Sequence, residues 1–227
     1  MKLGVLFSGG KDSTLAAWIA KKEGYELRCL ISVFSENKES FMFHTPSIEG
    51  VRVQAEAAGL PLVVQKTAGE KEGELGDLRR ALKRARDEFG IEGVLTGAVA
   101  SVYQASRIQK ICLELGLWCF NPLWQKNQLE ILRELVEENF EVVVVGVFAY
   151  PFGKSFLGRR IDKDFILEMD SLSKKYRINP AGEGGEFESF VLNCPLFEKP
   201  LRVVSFEDFG EGNSWRRELF LGFGEKA

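Results

Sequence analysis

The sequence predicts an α/β protein: a parallel sheet with helices on both faces, followed by a smaller α+β portion. Three observations carry that expectation. Short β-branched runs alternate with longer helical patterns through the first half of the chain. These runs are apolar throughout rather than at every second residue, as strands covered on both faces must be. Beyond "NPLWQ" (121–125) the alternation stops, and the tail shows alternating apolar positions broken by Pro and Gly, the pattern of antiparallel strands. A boundary near residue 124 follows, dividing the chain into 1–124 and 125–227.

The elements can be justified in order. "KLGVLF" (2–7) is a buried strand, and "STLAAWIAKKEG" (13–24) a helix closed by Gly24. "LRCLISVF" (27–34) is a second strand; Pro46 and Ser47 start a helix that runs to Gly59. "LPLVVQ" (60–65) is the third strand. Leu75, Leu78, Leu82, Ala85 and Phe89 then recur at spacings of three and four, which places them on one face of an amphipathic helix. "GVLTGA" (93–98) is a strand and turn, Val102, Ala105, Ile108 and Cys112 mark a helix face, and "LWCFNPL" (117–123) is the last parallel strand. In the second portion a helix is expected at about 126–138, a strand within 140–150, and a helix near 161–176 ahead of a glycine-rich turn at 181–185.

A chain of 227 residues with 45% hydrophobic and 28% charged residues has the composition of an ordinary globular protein. Its net charge of −3 argues against a broad nucleic-acid or anionic-membrane footprint, which needs an excess of Lys and Arg. Cys29, Cys112, Cys119 and Cys194 form no C-x-x-C pair, so neither a zinc ribbon nor a dithiol redox site is suggested; buried free thiols are expected. "MKLGVLF" is too short for a signal peptide, and "VVVVGVFAY" falls well short of a membrane span, so a cytoplasmic protein is expected.

Two motifs carry chemistry. "SGGKDS" (8–13) follows the first strand and opens a helix, at the edge of the sheet where α/β proteins bind ligands. Glycines let backbone N–H groups approach phosphate oxygens, and the helix N-terminus adds partial positive charge. Ser8 and Ser13 can donate hydrogen bonds and Lys11 can neutralise phosphate, whereas Asp12 repels phosphate unless a cation such as Mg²⁺ lies between them. The loop lacks the Walker A spacing and the dinucleotide G-x-G-x-x-G. Far downstream, "NPAGEGGEFESF" (179–190) crowds Glu183, Glu186 and Glu188 around a glycine-rich turn, with Phe187 and Phe190 to anchor it. Carboxylates so close raise one another's pKa unless a cation or donor intervenes.

"SGGKDS" resembles the PP-loop of the N-type ATP pyrophosphatases. With "MFH" (42–44), "TGAVAS" (96–101), "NPLW" (121–124), "FLGRRID" (156–162) and the glutamate motif, the chain resembles the diphthine–ammonia ligase family. The resemblance implies a Rossmann-like, adenine nucleotide alpha hydrolase-like domain. It implies ATP as substrate with Mg²⁺, and amidation by ammonia of diphthine, a modified histidine of translation elongation factor 2, through an adenylate that releases AMP and pyrophosphate. It further implies that Ser8, Gly9, Gly10, Lys11, Asp12 and Ser13 hold the ATP phosphates, with Asp12 toward the metal. Ile31, Ser32 and Val33 are candidates to flank adenine, Gly97 and Ala98 to admit the nucleotide closely, and the single histidine, His44, to touch nucleotide or substrate. Glu183, Glu186 and Glu188 form the substrate end, either facing the trimethylammonium group of diphthine or taking a proton from attacking ammonium. Trp124 is expected to pack at the domain junction, and Arg159 and Arg160 to bind an anion or lie on a solvated face. A transfer-RNA-modifying PP-loop enzyme and a non-catalytic nucleotide-binding module are the alternatives. No nucleic-acid partner is expected, and the antiparallel tail leaves a homo-oligomer open.

Overall fold

The computed structural model describes residues 1–35, 48–68 and 71–224. The first half is a wound α/β unit: β1 (Lys2–Leu6), α1 (Lys11–Lys22), β2 (Glu26–Ser35), α2 (Ile48–Ala57), β3 (Leu62–Thr67), α3 (Lys71–Phe89), β4 (Gly93–Leu95), α4 (Val102–Leu115) and β5 (Trp118–Phe120). The five strands are parallel in the order β3-β2-β1-β4-β5. The chain winds outward from β1 to β3, then returns past β1 to lay down β4 and β5. The switch therefore lies between β1 and β4, and ligands bind at the carboxyl ends of strands beside such a switch.

Side chains alternate across this sheet with the period of two that a strand imposes. Leu3, Val5, Phe7 and Leu30 join Leu15, Ala16, Val51 and Ala55 of α1 and α2 on one face. Cys29, Ile31, Val33 and Val94 join Leu78, Leu82, Ala85 and Ile108 of α3 and α4 on the other. Both faces being covered explains the unbroken apolar runs in the sequence.

The second half comprises α5 (Gln128–Glu137), β6 (Glu141–Val147), α6 (Lys163–Tyr176), β7 (Phe187–Asn193), β8 (Leu201–Glu211) and β9 (Ser214–Phe223). Its strands form an antiparallel sheet in the order β7-β6-β9-β8. Asn127 caps α5 through the Leu129 and Glu130 N–H groups, and Asp162 caps α6 through the Phe165 N–H. The parallel sheet ends at Phe120 and the antiparallel one starts at Glu141, yet a single apolar cluster runs through both, joining Leu15 and Ala16 to Val143, Phe165, Phe190 and Val191. Gly50 of α2 lets that contact close, since a Cβ there would meet the Phe190 ring at 2.9 Å. No helix among the described residues is long and apolar enough to cross a membrane.

Several sequence expectations need correction. The strand expected at 117–123 shrinks to Trp118–Phe120, because after Phe120 the backbone turns out of the sheet, whereas Gly93–Leu95 followed by a turn matches the strand and turn read at 93–98. The first helix starts at Lys11 rather than Ser13, with Gly10 in extended conformation as its cap. Trp124 is not a packing residue. The Asn121–Trp124 turn, closed by Trp124 N–H to the Asn121 carbonyl, drives Leu123 fully inside and leaves Trp124 exposed.

Candidate active site

β1 ends at Leu6, and Phe7 makes the last sheet hydrogen bond, N–H to the Ile31 carbonyl at 2.8 Å. The next two residues turn the chain sharply. Gly9 has φ +78°, and a Cβ there would lie 2.3 Å from Gln54 Oε1, so conformation and space both demand glycine. Gln54, fully buried on α2, donates to the Gly9 carbonyl at 2.9 Å and to the Val191 carbonyl at 2.7 Å. The Val191 N–H returns to the Gly9 carbonyl at 3.1 Å, and Ser189 Oγ accepts from the Lys11 N–H at 3.2 Å. The loop of residues 8–13 is thus bound to β7, and β7 begins inside the glutamate motif. The two motifs are one construction.

They open on one cavity of about 640 Å³ at the carboxyl edge of the parallel sheet. Ser8, Asp12 and Ser13 line it from the loop, and Ile31 and Val33 from the end of β2. Thr96, Gly97 and Ala98 line it after β4, with Ser101 and Gln104 at the start of α4. Gly182, Glu183, Gly185 and Glu188 close the opposite side, joined by Phe148 and Arg216. Gly97 is wedged against the first turn of α1: a Cβ would lie 2.6 Å from both Asp12 C and Ser13 N. Ser101 caps α4 by accepting the Gln104 N–H, so a second helix N-terminus faces the cavity.

The electrostatics are concentrated in three carboxylates and one lysine. Lys11 is buried, with Nζ 2.8 Å from Asp12 Oδ2 and 5.5 Å from the Phe187 ring centroid. Asp12 Oδ1 is buried without a hydrogen-bond partner, a state that costs free energy unless a ligand completes it. A hard cation fits there. Mg²⁺ takes one or two carboxylate oxygens and completes its shell with water and substrate phosphates, and no cluster of three or more His, Cys, Asp or Glu exists among the described residues to form an all-protein cage. Glu183 is pushed up to about 7, first by burial and then by the Asp12 and Glu186 charges, against the Lys11 ammonium and the Ala100 N–H that donates to it. Glu186 behaves differently. Its buried carboxylate accepts from the Asn179 N–H at 2.8 Å, Asn179 Nδ2 at 2.9 Å and the Gly184 N–H at 2.8 Å.

Of the residues singled out from sequence, Ser8, Asp12, Ser13, Ile31, Val33, Gly97, Ala98, Glu183 and Glu188 stand on the cavity wall. Gly9, Gly10, Lys11, Ser32 and Glu186 do not. Gly9 and Gly10 shape the loop, and the Ser32 hydroxyl is taken by the Phe7 carbonyl at 2.6 Å. Glu186 braces the turn that presents its neighbours, through Asn179 and Gly184. Arg159 pairs with Glu168 at 2.5 Å and Arg160 with Glu141 at 3.5 Å; neither lines the cavity. His44 and the "MFH" segment lie outside the described residues. Thr96 and Ser101 fall within the "TGAVAS" motif but were given no role from sequence, and Gln104, Phe148 and Arg216 were not singled out at all. A serine ahead of an amphipathic helix was a readable cap signal for Ser101, whereas Phe148 and Arg216 reach the cavity only through strand pairing.

Comparison with known proteins agrees with this construction. The family model described as the diphthamide synthase N-terminal domain matches residues 1–119, and that of the diphthamide synthase C-terminal domain matches residues 127–217. Curated relatives named diphthine–ammonia ligase are 35% identical in Rattus norvegicus and 33% in Homo sapiens, each match covering 91% of this chain and 84% of the relative. A Danio rerio protein of the same name is 31% identical over 91% of this chain and 88% of its own length. The two family models together span both halves of the cavity, from the loop after β1 to Arg216 on β9, and the chain therefore belongs to the diphthamide synthase family.

Proposed function

We propose that this protein is an ATP-dependent diphthine–ammonia ligase, converting the diphthine of translation elongation factor 2 to diphthamide with release of AMP and pyrophosphate. One observation carries the reading: the PP-loop and the glutamate turn are hydrogen-bonded into one wall and open on a single cavity. Nucleotide and acyl substrate then meet without a large movement between their subsites.

The ATP phosphates lie over residues 8–13, where Ser8 and Ser13 donate and the N-terminus of α1 favours negative charge. Adenine stacks in the apolar end formed by Ile31, Val33 and Ile108. Asp12 is the residue to hold Mg²⁺, which supplies charge neutralisation between the carboxylate and the phosphates when bound. Lys11, from its buried position behind Asp12, contributes positive potential where negative charge develops on the leaving pyrophosphate. A diphthine carboxylate oxygen bonds to the α-phosphorus as the bond to the bridging oxygen of the β-phosphate breaks. Ammonia then attacks the acyl carbon, the carbon–oxygen bond to AMP breaks, and the nitrogen loses a proton. Glu183, on the cavity wall, takes that proton: raised to about 7 by burial and the Asp12 charge, it is a stronger base than an ordinary carboxylate. The protein partner is consistent with a net charge of −3, which suits no nucleic-acid backbone.

The test is incubation with diphthine-bearing elongation factor 2, ATP, Mg²⁺ and ammonium, reading amidation by intact mass and nucleotide products by chromatography. AMP and pyrophosphate in equal amount with diphthamide are expected. ADP and phosphate, or no mass change on the factor, would overturn the proposal.

A further inference from the structure

At the mouth of the cavity a cation site is filled by the protein's own arginine. Gly146, on the central strand β6, is the register partner of Glu188 on β7 and of Arg216 on β9. Glu188 and Arg216 therefore flank a position that has no side chain. The gap is filled by Phe148, two residues further along: a Cβ at Gly146 would lie 2.7 Å from Phe148 Cζ, 2.9 Å from Cε2 and 3.1 Å from Glu188 Oε2. An aromatic face and a carboxylate oxygen thus converge over Gly146, and all three side chains line the cavity shared with Asp12 and Glu183.

The present occupant fits this site loosely. The Arg216 guanidinium carbon lies 5.0 Å from the Phe148 ring centroid, and its Nη2 stays 3.9 Å from Glu188 Oε1. A guanidinium is built for short, forked hydrogen bonds to a carboxylate, and at this distance it forms none with Glu188. An aromatic face with a carboxylate at its edge and no short hydrogen bond between charge and counter-charge suits a cation that has no N–H to donate. Quaternary ammonium groups are recognised in that way, by aromatic faces and diffuse negative charge.

We propose that Gly146, Phe148 and Glu188 form the subsite for the trimethylammonium group of the substrate, and that Arg216 is an internal cation which vacates it when substrate binds. This rests on the diphthine reading above and deepens it by naming the residues that sense methylation. Substrate binding is then an exchange of one cation for another at the Phe148 face. A primary ammonium, strongly hydrated, loses more on entering the same site than a quaternary one. The ligase therefore prefers the trimethylated side chain over its unmethylated precursor.

The test compares full-length wild type with Phe148→Leu and Arg216→Ala on elongation factor carrying either the trimethylated or the unmethylated side chain. Phe148→Leu is expected to raise KM for the trimethylated factor roughly tenfold, to erase most of the preference over the unmethylated one, and to leave KM for ATP within a factor of two or so. Arg216→Ala is expected to lower KM for the trimethylated factor, since the competing cation is gone. An equal loss on both substrates in Phe148→Leu, or a raised KM in Arg216→Ala, would overturn the proposal. Tetramethylammonium chloride, titrated against wild type and each variant and read from saturation transfer to its own methyl protons, judges the subsite independently of turnover. Binding that tightens in Arg216→Ala and disappears in Phe148→Leu upholds the cation site even if no amidation is found. No binding to Arg216→Ala overturns it even if amidation proceeds.

Discussion

Glu183→Gln should make the protein more stable at alkaline pH and less active at every pH. Glu183 is pushed up to about 7 by burial and by Asp12, whereas in the unfolded chain it titrates at about 4.3. Between those values the folded state holds a proton that the unfolded state has released, so wild-type stability falls as pH rises through this window and levels off above about 7. The difference corresponds to roughly 3 kcal/mol once complete. Glutamine keeps the shape and is neutral throughout, so the variant escapes the penalty. At pH 4 both proteins carry an uncharged side chain and should melt together; at pH 8.5 the variant should melt higher by roughly 6–10 °C for a chain of this size. Differential scanning calorimetry of nucleotide-free protein across pH 4–9 reads the effect directly, and amidation assays on the same samples should show kcat reduced roughly hundredfold or more. A stability difference that is the same at pH 4 and 8.5, or an alkaline destabilisation by glutamine, would refute the reasoning that burial and the Asp12 charge set the behaviour of Glu183.

Three further outcomes follow from the same geometry. Glu186→Ala strips three donors of their acceptor and should lower stability by about 3 kcal/mol or more, seen as a reduced urea midpoint; lost activity with an unchanged midpoint would make Glu186 a direct participant instead of a brace. Gly97→Ala forces a Cβ to within 2.6 Å of the α1 backbone, so it should cost about 1–3 kcal/mol and raise KM for ATP, and an unaffected KM would show that this contact does not shape the nucleotide subsite. Glutamine should not replace ammonium as nitrogen donor: glutamine hydrolysis needs a reactive thiolate, whereas burial pushes the Cys29 and Cys194 thiols up to about 12 and Cys112 and Cys119 are engaged with each other. Amidation with glutamine at rates matching ammonium in purified protein would contradict this.

The parallel sheet was legible because its physics is local in sequence. Strands buried on both faces must be apolar at every position, and Val5, Leu30, Ile31 and Val94 show it without reference to any partner. The PP-loop was legible for a similar reason: its glycines answer to backbone geometry at their own positions, as Gly9 does with its positive φ. The glutamate turn was only half legible. Composition marks three carboxylates, but which one curls back onto Asn179 and Gly184 depends on how the turn closes ahead of β7, and Glu186 was assigned to substrate accordingly. Lys11 reads as a phosphate ligand in sequence, and the burial of its ammonium beside Asp12 depends on how the loop packs against β7, which no local pattern encodes. Phe148 and Arg216 left no trace. Their presence at the cavity is set by the register of β6 with β9, a pairing between residues about seventy apart that no local pattern encodes.

The hydrogen bonds that tie Gly9 and Lys11 to Ser189 and Val191 also impose an order on biosynthesis. The nucleotide loop leaves the ribosome well ahead of the strand that holds it in shape, since Lys11 and Ser189 are 178 residues apart in the chain. Until β7 arrives the Gly9 carbonyl has Gln54 as a partner, but the loop lacks the Val191 N–H and the Ser189 hydroxyl that complete its bonding. The ATP loop is therefore completed only when the residues of the glutamate motif and β7 have joined it.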